Sequence, residues 1–240
     1  MRFRPSYPAS VIDVLRDEVR LGPRSTVADI GSGTGILTTL LLDSGSRVLA
    51  VEPNPAMRRA AEERLATHPL FVSVDGSAEA TGLDEDCVDA ITAAQSFHWF
   101  RVAEAAQEFA RILRPGGWIA LIWNSRPPSG SPFLRAYERF LEEWGTDYAT
   151  VRKTYEVAHA LPILYGNAPV KHRRSPHEQV LDYEGLEGRL LSSSYAPTRG
   201  DPRCTAMLDA LGTLFAEHAI EGRVRMEYDS NVYYGQPELE

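Results

Sequence analysis

The sequence predicts an α/β protein built on a mostly parallel sheet with helices on both faces. Three observations carry this. From Thr26 to Trp123, short apolar runs alternate with segments of helical spacing, an order that builds right-handed βαβ units. The first run ends in Gly31-Ser32-Gly33-Thr34-Gly35, a cluster that lets a strand turn sharply into a helix. A chain of 240 residues, 43% hydrophobic and 24% charged, has the means for one large domain or a domain with a cap.

The elements follow in order. Val11, Ile12, Leu15 and Val19 give Ser10–Arg20 a helical face, with Ser10 as N-cap and Gly22-Pro23 as breaker. Thr26–Ile30 is the first strand and Thr34–Ser44 a helix closed by Gly45. Arg47–Val51 is the second strand. Pro55–Thr67 is a helix with proline in its first turn. Leu70–Val74 and Val88–Ala94 are strands three and four. Ala103–Leu113 is a helix stopped by Pro115-Gly116-Gly117, and Trp118–Trp123 is strand five. Beyond the loop at 126–132, Phe133–Trp144 is an amphipathic helix. Residues 145–182 are expected to form helices and loops rather than strands. Gly188–Tyr195 reads as a strand, Pro202–His218 as a helix, and Gly222–Tyr234, which alternates Val224, Met226 and Tyr228, as a terminal strand. Two late strands then complete a seven-stranded sheet, antiparallel to its edge. The expected organisation is a ligand-binding core over 1–125, a helical insertion or cap over 126–185, and a C-terminal part over 186–240 that finishes the sheet.

Composition excludes several classes. A formal net charge of -8 gives no basic face for nucleic acid, and Lys171, Arg173 and Arg174 read as a solvated loop. No apolar run approaches the ~20 residues that cross a bilayer. The N-terminus lacks an apolar signal region. Cys87 and Cys204 are the only cysteines, so a reducing cytoplasm is expected and a disulfide framework is not. No Cys/His pair has metal-ligand spacing, so no metal site is expected. Ser192, Ser193 and Ser194 do not form the G-x-S-x-G elbow of a hydrolase.

Ligands of such sheets bind at the carboxyl ends of the strands, where the glycine cluster stands. Asp29 precedes it, and Glu52 follows Gly31 by 21 residues, at the end of strand two. A carboxylate there is placed to take both hydroxyls of a ribose. Two cofactor classes compete. The dinucleotide fingerprint needs a small residue at its sixth position, where this chain has Ile36. Asp29 would repel a pyrophosphate and suits a ligand with ammonium or sulfonium charge. A dinucleotide-dependent oxidoreductase remains the alternative from another enzyme class. A non-catalytic member that binds the cofactor as a regulator is the alternative from outside enzymes.

Five segments in sequence resemble the successive motifs of class I methyltransferases: Asp29–Gly35, Val51-Glu52-Pro53-Asn54, Gly76-Ser77-Ala78-Glu79, Ala94–Phe100 and Leu113-Arg114-Pro115-Gly116-Gly117. Within that family the chain resembles the subgroup that includes the trans-aconitate-type enzymes. The resemblance covers about residues 5–125. It implies a Rossmann-like fold, S-adenosylmethionine as cofactor, S-adenosylhomocysteine as product and a small-molecule substrate, in a monomer or homodimer. It implies that Gly31, Ser32, Gly33 and Gly35 approach the cofactor, that Asp29 supports the turn, and that Glu52 binds the ribose diol. Pro53 and Met57 would wall the adenine, and Ser77 and Ala78 would meet its edge, although many relatives have Asp where Ser77 stands. Gln95 and Ser96 would line the sulfonium end, and Tyr7 would close over the cofactor.

Methyl transfer from a sulfonium is an in-line displacement that depends on orientation and exclusion of water. A carboxylate acceptor needs no base. A hydroxyl benefits from one, and His98 is the candidate; packing between Phe97 and Trp99 is its other reading. O-methylation of a carboxylate or hydroxyl is the expected reaction. Trp99, Trp123, Asn124, Arg126 and Tyr195 are the substrate candidates, with Tyr137, Trp144 and Arg199 behind them. Each also has an ordinary core or surface reading.

Overall fold

The structure, a computed structural model, describes residues 4–146, 148, 160–193, 195–198 and 200–238. Arg199 lies outside them. The chain divides into two compact units, a larger one of Ser6–Trp123, Val157–Ser175 and Ser230–Glu240, and a smaller one of Met1–Pro5, Asn124–Glu156 and Pro176–Asp229.

In the larger unit, β1 (Thr26–Ile30) pairs in parallel with β2 (Arg47–Val51) and β4 (Val88–Ala94). Parallel pairing continues from β2 to β3 (Phe71–Val74) and from β4 to β5 (Leu113–Ser125). The seven-stranded sheet has the order β3-β2-β1-β4-β5-β7-β6, with β6 at Lys171–Leu181 and β7 at Val224–Gly235. The chain therefore winds outward from β1 to β3, returns, and continues on the other side of β1 with β4. That reversal is the switch point beside which such sheets bind ligands.

The helices α1 (Ala9–Asp17), α2 (Ile36–Asp43), α3 (Pro55–Leu65) and α4 (Val102–Ile112) belong to this unit. Asn54 caps α3, its side chain accepting from the amides of Ala56 at 2.9 Å and Met57 at 3.2 Å, with Pro55 in the first turn. α4 buries Ala105, Phe109 and Ile112 on one stripe. Val11, Leu15, Val27, Leu41, Val48 and Ile122 share one apolar cluster. α6 (Leu161–Tyr165) adds Tyr165, whose hydroxyl donates to the Ile119 carbonyl at 3.1 Å.

In the smaller unit, α5 (Pro132–Trp144) starts at Ser131, whose hydroxyl accepts from the Leu134 amide at 3.2 Å. Together with α7 (Tyr183–Leu191) and α8 (Arg203–His218) it surrounds a core that includes Leu134, Tyr137, Leu186, Leu190, Met207 and Tyr228.

Four sequence readings are corrected. Gly188–Tyr195 is not a strand. The helix α7 begins earlier, where the Asp182 side chain accepts from the Gly185 amide at 2.8 Å, and it buries Leu186 and Leu190 four residues apart. Residues 145–182, expected to hold helices and loops, contain β6, so the segment 126–185 is not wholly helical. β6 occupies a sheet edge and is exposed over most of its length, so it lacks the apolar alternation that marks a strand. The basic run at 171–174 lies on this strand rather than on a loop, and Lys171 and Arg173 pair with Glu18 at 3.0 and 2.9 Å. Finally, β5 starts at Leu113 rather than Trp118. Leu113 faces Val88 and Trp118 faces Ala90, so the Pro115-Gly116-Gly117 turn is carried as an irregularity within the strand.

Among the described residues no helix is long and apolar enough to cross a membrane. Phe109 is fully buried and meets Phe100 edge-on at 6.2 Å. Phe109→Ala is expected to cost about 3–5 kcal/mol, read as a lowered urea midpoint. A loss near zero would mean that α4 does not pack as described.

Candidate functional site

The site of the larger unit is built on a buried carboxylate. Asp29, 1% exposed, closes β1. Its Oδ2 accepts from the Thr38 hydroxyl at 2.6 Å and its Oδ1 from the Thr92 hydroxyl at 3.0 Å. One side chain thus ties β1 to α2 and to β4. Burial pushes its carboxyl up to about 6, with the Glu52 charge adding to the rise and the two hydroxyls opposing it. Asp29 supports the turn, and both its oxygens are engaged.

The turn that follows is shaped by two different needs. Gly31 and Gly33 have φ of 65° and 58°, a region costly for residues with a Cβ. A Cβ on Gly31 would stand 2.5 Å from Ser96 Cβ, whereas a Cβ on Gly33 would meet nothing within 4 Å. Gly31 is therefore a packing glycine, pressed against Ser96, whose hydroxyl donates to the Ile30 carbonyl at 2.7 Å. Gly33 faces open space. Gly35 packs on α3, where a Cβ would come within 2.9 Å of Leu65. Ser32 joins the turn through its amide, which donates to the Val51 carbonyl at 3.1 Å.

Strand register brings Glu52 to this turn, because Ile30 pairs with Val51. The Glu52 carboxylate is 6% exposed and accepts from two amides, Gly33 on Oε2 and Asn54 on Oε1, each at 2.8 Å. A carboxylate oxygen accepts more than one hydrogen bond, so each oxygen keeps capacity for a ligand hydroxyl. Arg58, which the sequence reading missed, holds this corner. Its guanidinium donates to the Glu52 carbonyl at 2.8 Å and to both Asp75 oxygens at 2.9 Å, locking the end of β2 to the loop after β3. The signal for it was one helical turn away: Arg58 follows the Asn54 cap and faces the strand ends.

The remaining candidates take their places around these groups. Pro53 is exposed and Met57 half-buried at the start of α3. Ser77 and Ala80 exchange backbone hydrogen bonds at 3.0 and 3.3 Å, which folds Ala78 into a tight loop. Burial would raise the Glu79 carboxyl, but the Arg101 amide and the Ser77 hydroxyl outweigh it and hold it below the usual range. Gln95 ends β4 with φ of 56°, a strained conformation of the sort found at functional sites. Tyr7 packs, half-buried, on the apolar cluster of this unit. His98 lies in a 3₁₀ turn (Phe97–Trp99), its ring 4.8 Å from that of Trp99, which is 70% exposed. Burial pushes the His98 imidazole down to about 4. Trp123 is 3% exposed, edge-on to Phe97 at 5.9 Å, and its indole N–H meets no acceptor among the described residues.

Asn124, Arg126 and Tyr195 belong to the smaller unit. There Arg126 is bound to Glu138 and Tyr148, and Tyr195 meets Tyr148 edge-on at 5.0 Å. Tyr137 and Trp144 serve the core of that unit. Among the described residues no group of three or more His, Cys, Asp or Glu could hold a metal ion.

Two variants test the frame of the site. Gly31→Ala is expected to lower the melting temperature clearly, since Ser96 has no room to yield, and Gly33→Ala to lower it less. Equal losses would contradict the packing difference. For Asp29, the folded state keeps a proton that the unfolded chain has released between about pH 4 and 6, so its contribution is present below pH 4 and is lost as pH rises through 6. Relative to Asp29→Asn, the native protein is expected to lose roughly 2–3 kcal/mol of unfolding free energy across that window. Parallel curves for the two proteins would reject the buried carboxylate.

Comparison with known proteins agrees with the fold. Residues 28–121 match a family model described as a methyltransferase domain. An uncharacterized methyltransferase of Mycobacterium tuberculosis is 44% identical over 125 residues, 52% of this chain and 49% of that protein. The chain thus spans about half the length of the mycobacterial relatives it matches. The structure of a putative type II methyltransferase from Anaeromyxobacter dehalogenans superposes with a TM-score of 0.71 at 23% identity, covering 98% of this chain and 100% of that one. A geranyl diphosphate C-methyltransferase from Streptomyces coelicolor, solved with Mg2+, geranyl diphosphate and S-adenosylhomocysteine, gives 0.51 at 17% identity, covering 95% and 78%. At these identities the two structures speak for the fold. The matched segment runs across the strand ends where Asp29, Glu52 and Gln95 stand, and over this segment the chain is similar to methyltransferase domains.

Proposed function

We propose that the protein transfers a methyl group from S-adenosylmethionine to a small molecule, with a carboxylate or hydroxyl oxygen as acceptor. The observation that carries this is Glu52, fixed by the Gly33 and Asn54 amides beside the open space over Gly33. That donor set fits the cofactor: a ribose diol can complete the Glu52 carboxylate, and a backbone without Cβ admits close approach. The cofactor would supply an activated methyl group on a sulfonium.

The chain's own residues do the rest. Arg58 and Asp75 hold the loop ends on either side of Glu52. Asp29 contributes rigidity rather than contact. The half-buried Met57 would lie against the adenine, with exposed Pro53 beside it. Trp123 offers a buried N–H to an acceptor atom of a ligand. His98, held near 4, is neutral at physiological pH. It accepts a hydrogen bond but is a weak base for a hydroxyl, which favours an acceptor that is already ionised. Orientation and exclusion of water then supply most of the rate.

Isothermal titration with S-adenosylmethionine and S-adenosylhomocysteine, with NAD(H) as control, tests the reading. Both are expected to bind and NAD(H) is not. Glu52→Ala is expected to weaken both about 30-fold or more, on the order of 2–3 kcal/mol for a charge-assisted pair of hydrogen bonds. Gly33→Ala is expected to weaken them, with a smaller loss of folding stability than Gly31→Ala causes. Failure of a verified, folded and ligand-free sample to bind either compound would sink the reading, and binding of NAD(H) instead would favour an oxidoreductase.

A further inference from the structure

In the smaller unit, two arginines meet four tyrosines and one carboxylate. Arg126 is neutralised: Nε donates to Glu138, Nη2 donates to the Tyr148 hydroxyl at 2.8 Å, and that hydroxyl donates to the other Glu138 oxygen. Its guanidinium carbon also lies 5.8 Å from the ring centroids of Tyr137 and Tyr148. Arg189, on α7, is not neutralised. Its Nε donates to the Tyr228 hydroxyl at 3.2 Å and its Nη1 to the Ser193 hydroxyl at 3.0 Å, both uncharged groups. It makes no ion pair with a carboxylate among the described residues; the groups that act on it are Tyr228, Tyr195, Tyr137 and Arg126.

These tyrosines are deeply set: Tyr137 is 1% exposed, Tyr228 2% and Tyr195 6%. The Arg126 and Glu138 side chains are 13% and 19% exposed, so the cluster is not sealed from the surface. Among the described residues, one glutamate answers two arginines. The cluster is therefore net positive inside a chain whose total is -8. A guanidinium drawn out of water without a counter-charge is costly, and its planar fork is matched by the paired oxygens of a carboxylate or phosphate.

The geometry points to Arg189, flanked by Tyr137, Tyr195 and Tyr228, as a receptor for the carboxylate or phosphate group of a small molecule. Arg126, the cation singled out from the sequence, is instead a wall of this receptor, spent on Glu138. Burial alone would raise the Tyr195 phenol, but Arg126 and Arg189 outweigh it and lower it, as an excess of positive charge requires. That the anion belongs to the methyl acceptor rests on the methyl-transfer reading; binding of the anion does not.

The test is isothermal titration of the full chain with benzoate, phenyl phosphate and neutral benzamide, each with and without S-adenosylhomocysteine. At least one anion is expected to bind, and benzamide is not. Benzoate alone identifies a carboxylate, phenyl phosphate alone a phosphate. Arg189→Gln is expected to weaken the anion tenfold or more, Arg189→Lys less, with S-adenosylhomocysteine affinity unchanged in both. The proposal is overturned if neither anion binds better than benzamide, or if Arg189→Gln binds as the native protein does. It is also overturned if tyrosinate absorbance at pH 7 disappears in Tyr195→Phe, because the cluster would then supply its own counter-charge. Near-UV circular dichroism checks the fold of each variant; should the Gln protein fail to fold, the native panel and the Lys variant decide. A native protein that binds an anion but not S-adenosylhomocysteine would remove the cofactor reading and leave the receptor standing.

Discussion

A carboxylate with no water to turn to fixes the geometry of the larger unit. Asp29 is satisfied by Thr38 and Thr92, whose hydroxyls donate to its two oxygens, so the first turn of α2 and the middle of β4 must stand within hydrogen-bond reach of the end of β1. The neighbouring contacts then have little freedom. With β4 held in place, Ser96 reaches the Ile30 carbonyl and occupies the room that a side chain at residue 31 would need. With α2 held in place, the glycine turn delivers the Gly33 amide to Glu52. Asp29, expected from the sequence to support the turn, thus positions its neighbours, and polar satisfaction inside the core sets the shape of the rim.

The sequence was legible where burial imposes a pattern. β1, β2 and β4 are covered on both faces and read as apolar runs; the helices between them read as stripes; Glu52 was found because parallel register makes its distance from Gly31 nearly fixed. Legibility failed where burial does not discriminate. β6 is a polar strand whose exposed positions dominate. The start of α7 is marked by Asp182, whereas the segment read as a strand begins further on, at Gly188. Arg58 and Arg189 were invisible for a related reason: an arginine in a helix is usually solvated, and what makes each of these two unusual is the partner folded against it from a distant segment, Asp75 in one case and Tyr228 in the other.

The two units handle charge in opposite ways. In the larger one, acidic groups are gathered at the strand ends and quenched by backbone amides and hydroxyls. In the smaller one, two arginines are gathered among phenols, and Glu138 balances one of them. Burying charge is costly in either setting; in each, the polar neighbours that reduce the cost also restrict which ligand groups fit.

β6 carries a different consequence. A terminal strand presents a row of unpaired amides and carbonyls to any extended chain that drifts by. Here that row bears Lys171, Arg173 and Arg174, with Pro176 near its middle. An identical strand added in parallel register would set Arg174 against Arg174 and, at the proline, find a missing donor. The same polar character that hid β6 from the sequence reading protects the sheet against growth by self-addition, so the molecule can keep a long open border without becoming a seed for fibres.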